Sequence, residues 1–588
     1  MKMSFDKKSI PRPEYPDPSF ERESFFNLNG EWYFEIDNAQ SGKERGLQYQ
    51  KTLKDKITVP FCPESELSGI NNKDFMLCVW YKRKLDVKKS DVLGKRLILH
   101  FEAADYKTEI WISGVPVGQP HLGGYGSFSY DITDYLTDGE NILTVCCHDD
   151  TRSPNQASGK QSISYGSVVC KYTRTTGIWQ TVWYEIVPNE RILHAKFIPD
   201  IENSSVGAVL ELLGTSDLTA SVYYDGRLVG QTQRKKLSGV ACLEIALSEL
   251  HLWDIGRGEL YDVVLEFGDD RVKTYFGMRT VELKDGKFYL NGRSVFQRLV
   301  LDQGYYSDGI MTAPTEQALI RDIQCALEAG FNGARLHMKI FEPRYLYHAD
   351  KMGYLVWREY GNSGLDYSDL SNLADLLPEW LNSVKRDINH PCVVTWCPLN
   401  ETWDYGELKK RADPRFAATM YNETKRLDPS RPCIDTSGLY HVTTDIYDVH
   451  DYEGNTDAFA EKYEKFKIEG ILTEPENRKG RQKYGGEPFA VSEFGGIGYR
   501  LENNAFYSGR RGDWCHSDPT FTEEEFCKRY RAFVEPMLKN PKIFCFCYTQ
   551  LTDVEQEKNG LYTYADRLPK IDMSKIAEIN SQKAAVEE

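Results

Sequence analysis

Four of the five residues from Leu97 to Phe101 are apolar, and period-two alternation runs through Lys107 to Ile112. Asn141 to Cys146 is a third extended run, and Asn29-Gly30, Ser113-Gly114 and Asp138-Gly139 punctuate such runs as turns. This pattern predicts short strands up to about Pro188, in an all-β sandwich or jelly roll. A second β-rich stretch, Asn189 to Met278, contains Ala220-Ser221-Val222-Tyr223-Tyr224 and Tyr261-Asp262-Val263-Val264-Leu265. At roughly 90 residues it has the size of an immunoglobulin-like sandwich.

After Arg279 the pattern changes to alternating strands and helices. Thr315–Ala329 places Leu319, Ile323, Ala326 and Leu327 on one helical face and stops at Gly330. Thr522 and Glu525 read as a capping box before Phe526, Tyr530 and Phe533. Eight strands are predicted: Val295–Asp302, Asn332–His337, Tyr354–Tyr360, Val393–Leu399, Cys433–Thr436, Ile446–His450, Phe489–Phe494 and Phe544–Gln550. Eight units fit a (β/α)8 barrel of about 250 residues plus insertions, and exceed what most doubly wound open sheets carry. The predicted architecture is multidomain: a β jelly roll over 1–188, an immunoglobulin-like β-sandwich over 189–280 and a C-terminal (β/α)8 TIM barrel over 281–588.

The chain has 588 residues, 41% hydrophobic and 27% charged, as in ordinary soluble proteins. No run of 18 apolar residues is present, which argues against a membrane-spanning helix. A net charge of −16 without a Lys/Arg run argues against nucleic acid as a partner. No apolar stretch follows the first lysines, so no secretory signal is read. Fourteen cysteines without a C-x-x-C read as reduced thiols, and a cytoplasmic location is expected.

Barrel enzymes carry their chemistry at the C-terminal ends of the strands. Polar residues collect there: Asp302, His337, Glu359, Asn400-Glu401, His450 to Tyr452, Glu493 and Gln550. Glu401 and Glu493 each follow an apolar strand and stand 92 residues apart, about three units at roughly 31 residues each. Two carboxylates about 5–5.5 Å apart suit a retaining glycosidase, one as nucleophile and the other as acid and then base. The sequence lacks H-E-x-x-H, GxxxxGK[ST], GxSxG and a dinucleotide fingerprint, so neither cofactor nor metal is predicted.

Several motifs share one resemblance. In the front part they are Pro11-Arg12-Pro13, Asn27-Leu28-Asn29-Gly30-Glu31-Trp32 and Gly177-Ile178-Trp179-Gln180. In the barrel they are Gly333-Ala334-Arg335-Leu336-His337, Asn389-His390-Pro391, Asn400-Glu401, Ser492-Glu493-Phe494-Gly495-Gly496, Tyr548 to Glu555, and Asp566 to Lys570. In this order they resemble glycoside hydrolase family 2, the group of β-galactosidases, β-glucuronidases and β-mannosidases. The resemblance implies Glu401 as acid/base and Glu493 as nucleophile.

Substrate-binding expectations follow for the neighbours. Asn400 is placed to hydrogen-bond the sugar 2-hydroxyl. Arg335 and His337 are expected to hold the nucleophile or donate to sugar hydroxyls, and Tyr452 to donate to Glu493. Tyr548 is expected as an aromatic floor, Trp403 as an aglycone contact and Asp302 as a further substrate contact. Glu359 and His450 are assigned structural roles, and Cys545 and Cys547 to the barrel core. The charge of Glu493 is expected to lift Glu401 from about 4.3 toward about 6–7.

The expected function is that of a retaining exo-β-glycosidase acting on terminal non-reducing β-linked sugars, β-galactosides first. β-Glucosidase, β-mannosidase and arabinosidase specificities stay open. A β-glucuronidase is less favoured, because Glu557-Lys558-Asn559-Gly560 stands where glucuronidases carry Asn-x-Lys-Gly. A non-catalytic carbohydrate-binding protein is the alternative from another class. The expected partner is a small glycoside or oligosaccharide, with homo-oligomerisation left open.

Overall fold

The computed structural model describes residues 10–402, 412–438, 440–470, 481–499 and 513–587. Two antiparallel sheets face each other in the first part of the chain. One has seven strands, including β1 (Cys78–Leu85), β2 (Lys107–Ile112) and β3 (Asn141–His148), with β3 between the other two. The other has four strands, among them Lys95–Phe101 and Val182–Pro188. Trp32, Tyr81, Leu99, Ile110, Val145 and Cys147 fill the space between them. The second β region is a five-stranded sheet dominated by a hairpin of two 20-residue strands, Ser205–Tyr224 and Arg227–Ala246, with its own core around Leu210, Val222 and Phe276.

The remainder curls a parallel sheet into a ring. Its strands are β4 (Gln297–Asp302), β5 (Gly333–Leu336), β6 (Leu355–Glu359), β7 (Val393–Cys397), β8 (Tyr447–Asp451), β9 (Phe489–Gly495) and β10 (Ile543–Thr549), in the order β7-β6-β5-β4-β10-β9-β8. Because β4 pairs with both β5 and β10, the sheet curls round instead of fanning open. These strands are buried on both faces, as parallel strands under helices must be.

The predicted strand Cys433–Thr436 occupies the eighth position as bridges to β7, Trp396 with Cys433 and Asn400 with Ser437. It does not extend into a ladder with β8, because side chains take over its backbone bonding on that side. Asp445 accepts the Cys433 N–H at 2.9 Å, and Asp435 accepts the N–H of Thr436 at 2.8 Å. Ser437 Oγ then donates to Asp448 on β8 at 2.5 Å, so polar side chains close the ring.

The helix starts stand where expected, with one half of the expected capping box displaced. Thr315 caps Glu316–Glu328 by accepting the Ala318 N–H. Thr522 accepts the Glu525 N–H, while the Glu525 carboxylate reaches one residue further back, to the Phe521 N–H. Two further helices matter below: α1 (Pro343–Met352) and α2 (Leu373–Asp387).

The first β region is latched onto the barrel. Buried Glu379 on α2 accepts the N–H groups of Tyr125 and Gly126 at 2.6 Å each, and also the Tyr360 hydroxyl. A side chain at Gly123, where φ is +140°, would come within 2.5 Å of that carboxyl, so the glycine run serves close approach.

Candidate active site

Parallel strands of a barrel aim alternate side chains inward at one mouth. On β8, Asp448 and His450 share one parity, and Tyr452 continues it past the strand end. Glu493 comes from β9, Arg335 from β5 and Glu359 from the end of β6. Asn400-Glu401 follow β7, and Glu401 has φ +47°. Such backbone is uncommon outside glycine and clusters at functional sites.

Arg335 is wholly buried and gathers the site. Its guanidinium donates to Glu359, to Glu493 Oε1 at 2.8 Å, to the Ser492 carbonyl at 3.1 Å and to Asn400 Oδ1 at 2.5 Å. The Tyr452 hydroxyl donates to Glu493 Oε2 at 2.6 Å, so both oxygens of that carboxylate are held. His450 stands between the two glutamates, with Nδ1 2.6 Å from Glu401 Oε1 and Nε2 3.4 Å from Glu493 Oε1. Donor atoms of Glu401, His450 and Glu493 all lie within 4.8 Å of one another.

Charges follow from these contacts. Burial works to raise Glu493, but His450 and Arg335 outweigh it and bring the carboxyl down to about 2. Burial also opposes the imidazolium of His450, yet the charges of Glu493 and Glu401 raise it above the ordinary histidine value. Glu401 is likewise disfavoured as an anion by burial, and the His450 hydrogen bond and charge reverse this, holding it well below the usual carboxylate range. The expectation of an elevated Glu401 is therefore corrected for the free protein: the shared proton rests on His450. Glu359 is raised by burial despite Arg335, and His337 is lowered by burial and held neutral, its Nδ1 3.0 Å from Glu359 Oε2.

Eight of the nine sequence-predicted residues can be compared directly with this centre. Glu401, Glu493, Arg335, Asn400 and Tyr452 touch one another in it, and His337 joins through Glu359. The Nδ2 of Asn400 has no hydrogen-bond partner among the described residues, which leaves a donor beside the carboxylates. Asp302 does not reach the centre: its oxygens accept from Gly304 N–H at 2.9 Å and from Tyr345 on α1 at 3.1 Å. Tyr548 and Trp403 complete the set. Tyr548 is no floor, because its ring packs between Phe494 and Tyr530. Thr549 meets the Tyr452 hydroxyl at 3.0 Å and so takes the inward place, one residue along from Tyr548. Trp403 lies outside the described residues.

The structure adds residues that sequence reasoning missed. His450, assigned to packing, lies between the carboxylates, and its parity with Tyr452 was the available signal. His516 stacks on Tyr452 at 3.8 Å and lies 3.7 Å from buried Glu557. From the first β region, Tyr172 donates to Glu557, and Thr173 N–H lies 3.1 Å from Glu555 Oε2. Lys160 comes from the same segment; its ammonium has no partner among the described residues and feels the charges of Glu557, Glu493 and Glu401. No sequence signal connects residues so far apart in the chain.

Comparison with known proteins places this geometry. Residues 25–155 match the family profile "Glycosyl hydrolases family 2, sugar binding domain", and residues 281–496 match "Glycosyl hydrolases family 2, TIM barrel domain". A putative β-glucuronidase of Formosa agariphila is 24% identical over 69% of this chain, which spans only half of that relative's length. A β-galactosidase of Thermoanaerobacter pseudethanolicus is 24% identical over 83% of the chain and 68% of its own length. Among solved structures, a Bifidobacterium dentium β-glucuronidase complexed with coumarin-3-O-glucuronide superposes with a TM-score of 0.79 at 20% identity, covering 97% of this chain and 99% of that one. That superposition shows a shared fold. The two profile matches, in order and together spanning more than half of the 588 residues, identify the chain as a member of glycoside hydrolase family 2.

Proposed function

We propose that the protein is a retaining exo-β-glycosidase, with Glu493 as nucleophile, Glu401 as acid/base and a neutral hexose, β-galactose first, as glycone. One observation carries the reading: carboxylate oxygens of Glu401 and Glu493 lie within 4.8 Å of each other, close to the retaining spacing of about 5–5.5 Å and well inside the inverting one of about 6.5–9.5 Å. Their environments support the division of roles. Glu493 is 7% exposed, clamped and anionic, as a nucleophile must be, whereas Glu401 is 33% exposed, as suits a group that must meet both a leaving group and water. Asn400 and neutral His337 supply positions for sugar hydroxyls.

Separate cores support jelly-roll and immunoglobulin-like readings of 1–188 and 189–280, ahead of the barrel over 281–588. Fourteen unpaired thiols support a cytoplasmic location.

The rim favours a neutral glycone. Buried Glu557 and the nearby Lys160 offset each other's charge, and Asn559 stands in place of a second cation. The same Lys160 ammonium, unpaired, is the feature that favours a uronic acid. A panel of nitrophenyl β-galactoside, glucoside, mannoside, arabinoside and glucuronide separates these readings. Fastest release from the galactoside is expected. A preferred glucuronide that is lost in Lys160→Met assigns Lys160 to the sugar carboxylate, and a flat panel with intact sugar binding refutes the enzyme.

His450 gives a pH prediction. The acid/base needs one proton, which the pair Glu401–His450 holds as imidazolium and passes to Glu401 when a glycosidic oxygen docks. Because both glutamates raise His450, that proton is present below and lost above a pH higher than the ordinary value of about 6.5. In His450→Gln, Glu401 must hold the proton alone, lifted from about 4.3 by Glu493. The alkaline limb of kcat/KM for a phenyl glycoside is therefore expected to move to lower pH. An unmoved limb excludes His450 from the proton's path.

A further inference from the structure

Among the described residues, two clusters of three metal-ligating side chains lie outside the active site, Asp350–His390–Cys392 in the barrel and Cys78–Cys146–His148 in the first β region, and strand register builds the second. β3 runs between β1 and β2, with Cys146 opposite Glu109 of β2 and His148 opposite Cys78 of β1. Residues two apart on a strand share a face, so Cys146 and His148 point the same way, and their cross-strand partners point with them. Cys147 points oppositely, into the core between the sheets. The adjacent cysteines of the sequence are thus on opposite faces, whereas Cys78 and Cys146, 68 residues apart, come together.

The distances are those of a coordination shell. Cys78 Sγ and Cys146 Sγ are 3.4 Å apart, Cys146 Sγ and His148 Nε2 3.5 Å, and His148 Nε2 and Glu109 Oε2 3.7 Å. The two sulfurs and the imidazole nitrogen all lie within 4.8 Å of one another. Tetrahedral zinc, with bonds of about 2.3 Å to sulfur and about 2.0–2.2 Å to nitrogen or oxygen, separates its ligand atoms by about 3.4–3.8 Å. Both thiols are buried beneath Leu47, Leu53 and Trp111, His148 is partly exposed, and Lys43 covers Glu109 from a half-exposed position at 2.6 Å. Glu109 stands beside that trio, 3.7 Å from the imidazole, and displacing Lys43 into solvent frees its carboxylate to turn in as a fourth donor.

We propose that Cys78, Cys146, His148 and Glu109 form a tetrahedral site for a thiophilic divalent cation of the zinc class. Two thiolates, one neutral imidazole and one carboxylate suit zinc and disfavour magnesium or calcium, which take oxygen. With all four positions filled by protein the site is structural, tying β1, β3 and β2 together on the face turned away from the core. Binding releases the thiol protons, so affinity is expected to rise with pH.

The test uses the full chain, stripped with a chelator under reducing conditions and titrated with cobalt chloride, then zinc chloride. One cobalt per chain is expected, with thiolate-to-cobalt charge-transfer absorption and the intense visible bands of a tetrahedral site. Zinc should bleach both signals and raise the melting temperature. His148→Gln, a partly exposed change that leaves the fold intact, should weaken binding at least about tenfold, as should Cys78→Ser. Cys147→Ser should retain the full cobalt spectrum. A wild-type protein without the charge-transfer band overturns the site with no variant needed. So does a band that survives Cys78→Ser and Cys146→Ser but disappears in Cys147→Ser.

Discussion

Glu493→Gln is expected to lower turnover by about 10⁴–10⁶-fold, the scale on which a covalent nucleophile is lost. The amide keeps the size of the side chain and can still accept from Tyr452, so folding and sugar binding should survive. What disappears is the negative charge that Arg335 and His450 hold in place at the barrel mouth. Shortening the residue further, to Ala, makes room for azide where the carboxylate stood. Azide should then restore turnover and give the α-configured glycosyl azide, attack having come from the nucleophile's face. A β-configured azide, or a Gln variant retaining a tenth of wild-type turnover, would reassign the nucleophile.

Glu401→Gln should discriminate between leaving groups. With an alkyl or phenyl glycoside, kcat/KM is expected to fall by about 10²–10⁴-fold, because departure of a basic oxygen needs the proton. With a dinitrophenyl glycoside it should remain close to wild type, since that oxygen leaves unprotonated. The second half of the reaction then stalls for want of a base, and azide should relieve it with a β-configured product, opposite to that from the Glu493 variant. A loss equal across all leaving groups would remove Glu401 from the acid role.

The barrel strands were legible in the sequence because parallel strands under helices are continuous apolar runs, and seven of the eight predicted segments overlap a strand of the ring within a few residues. The eighth, Cys433–Thr436, carries a strand-like composition, but Asp435 and Asp445 take up backbone N–H groups of the segment itself, those of Thr436 and Cys433. Within the site, residues that directly follow a strand were legible. Those requiring the phase of the alternation were not: Asp302 and Tyr548 face the helical layer, and parity is invisible in a run apolar on both sides. His450 failed for a different reason. A histidine's role depends on what lies across the barrel, and Glu401 and Glu493 are brought to it only by closure of the ring.

Tyr172 and Thr173 come from the first β region and meet the glutamates of the 555–557 loop at the rim, with Lys160 of the same region within reach of their charge, while Gln556 reaches back to the carbonyls of Val169 and Lys171. On the proposed function, the carboxylates expected to break the bond and the rim groups expected to bound the sugar therefore belong to different parts of the polypeptide. Chemistry and taste would then be separately heritable: a few changes in the 158–175 segment are expected to alter which sugar is admitted without disturbing the residues that cleave it. A chimaera carrying a relative's segment on this barrel would inherit the donor's preference and keep the recipient's catalytic apparatus.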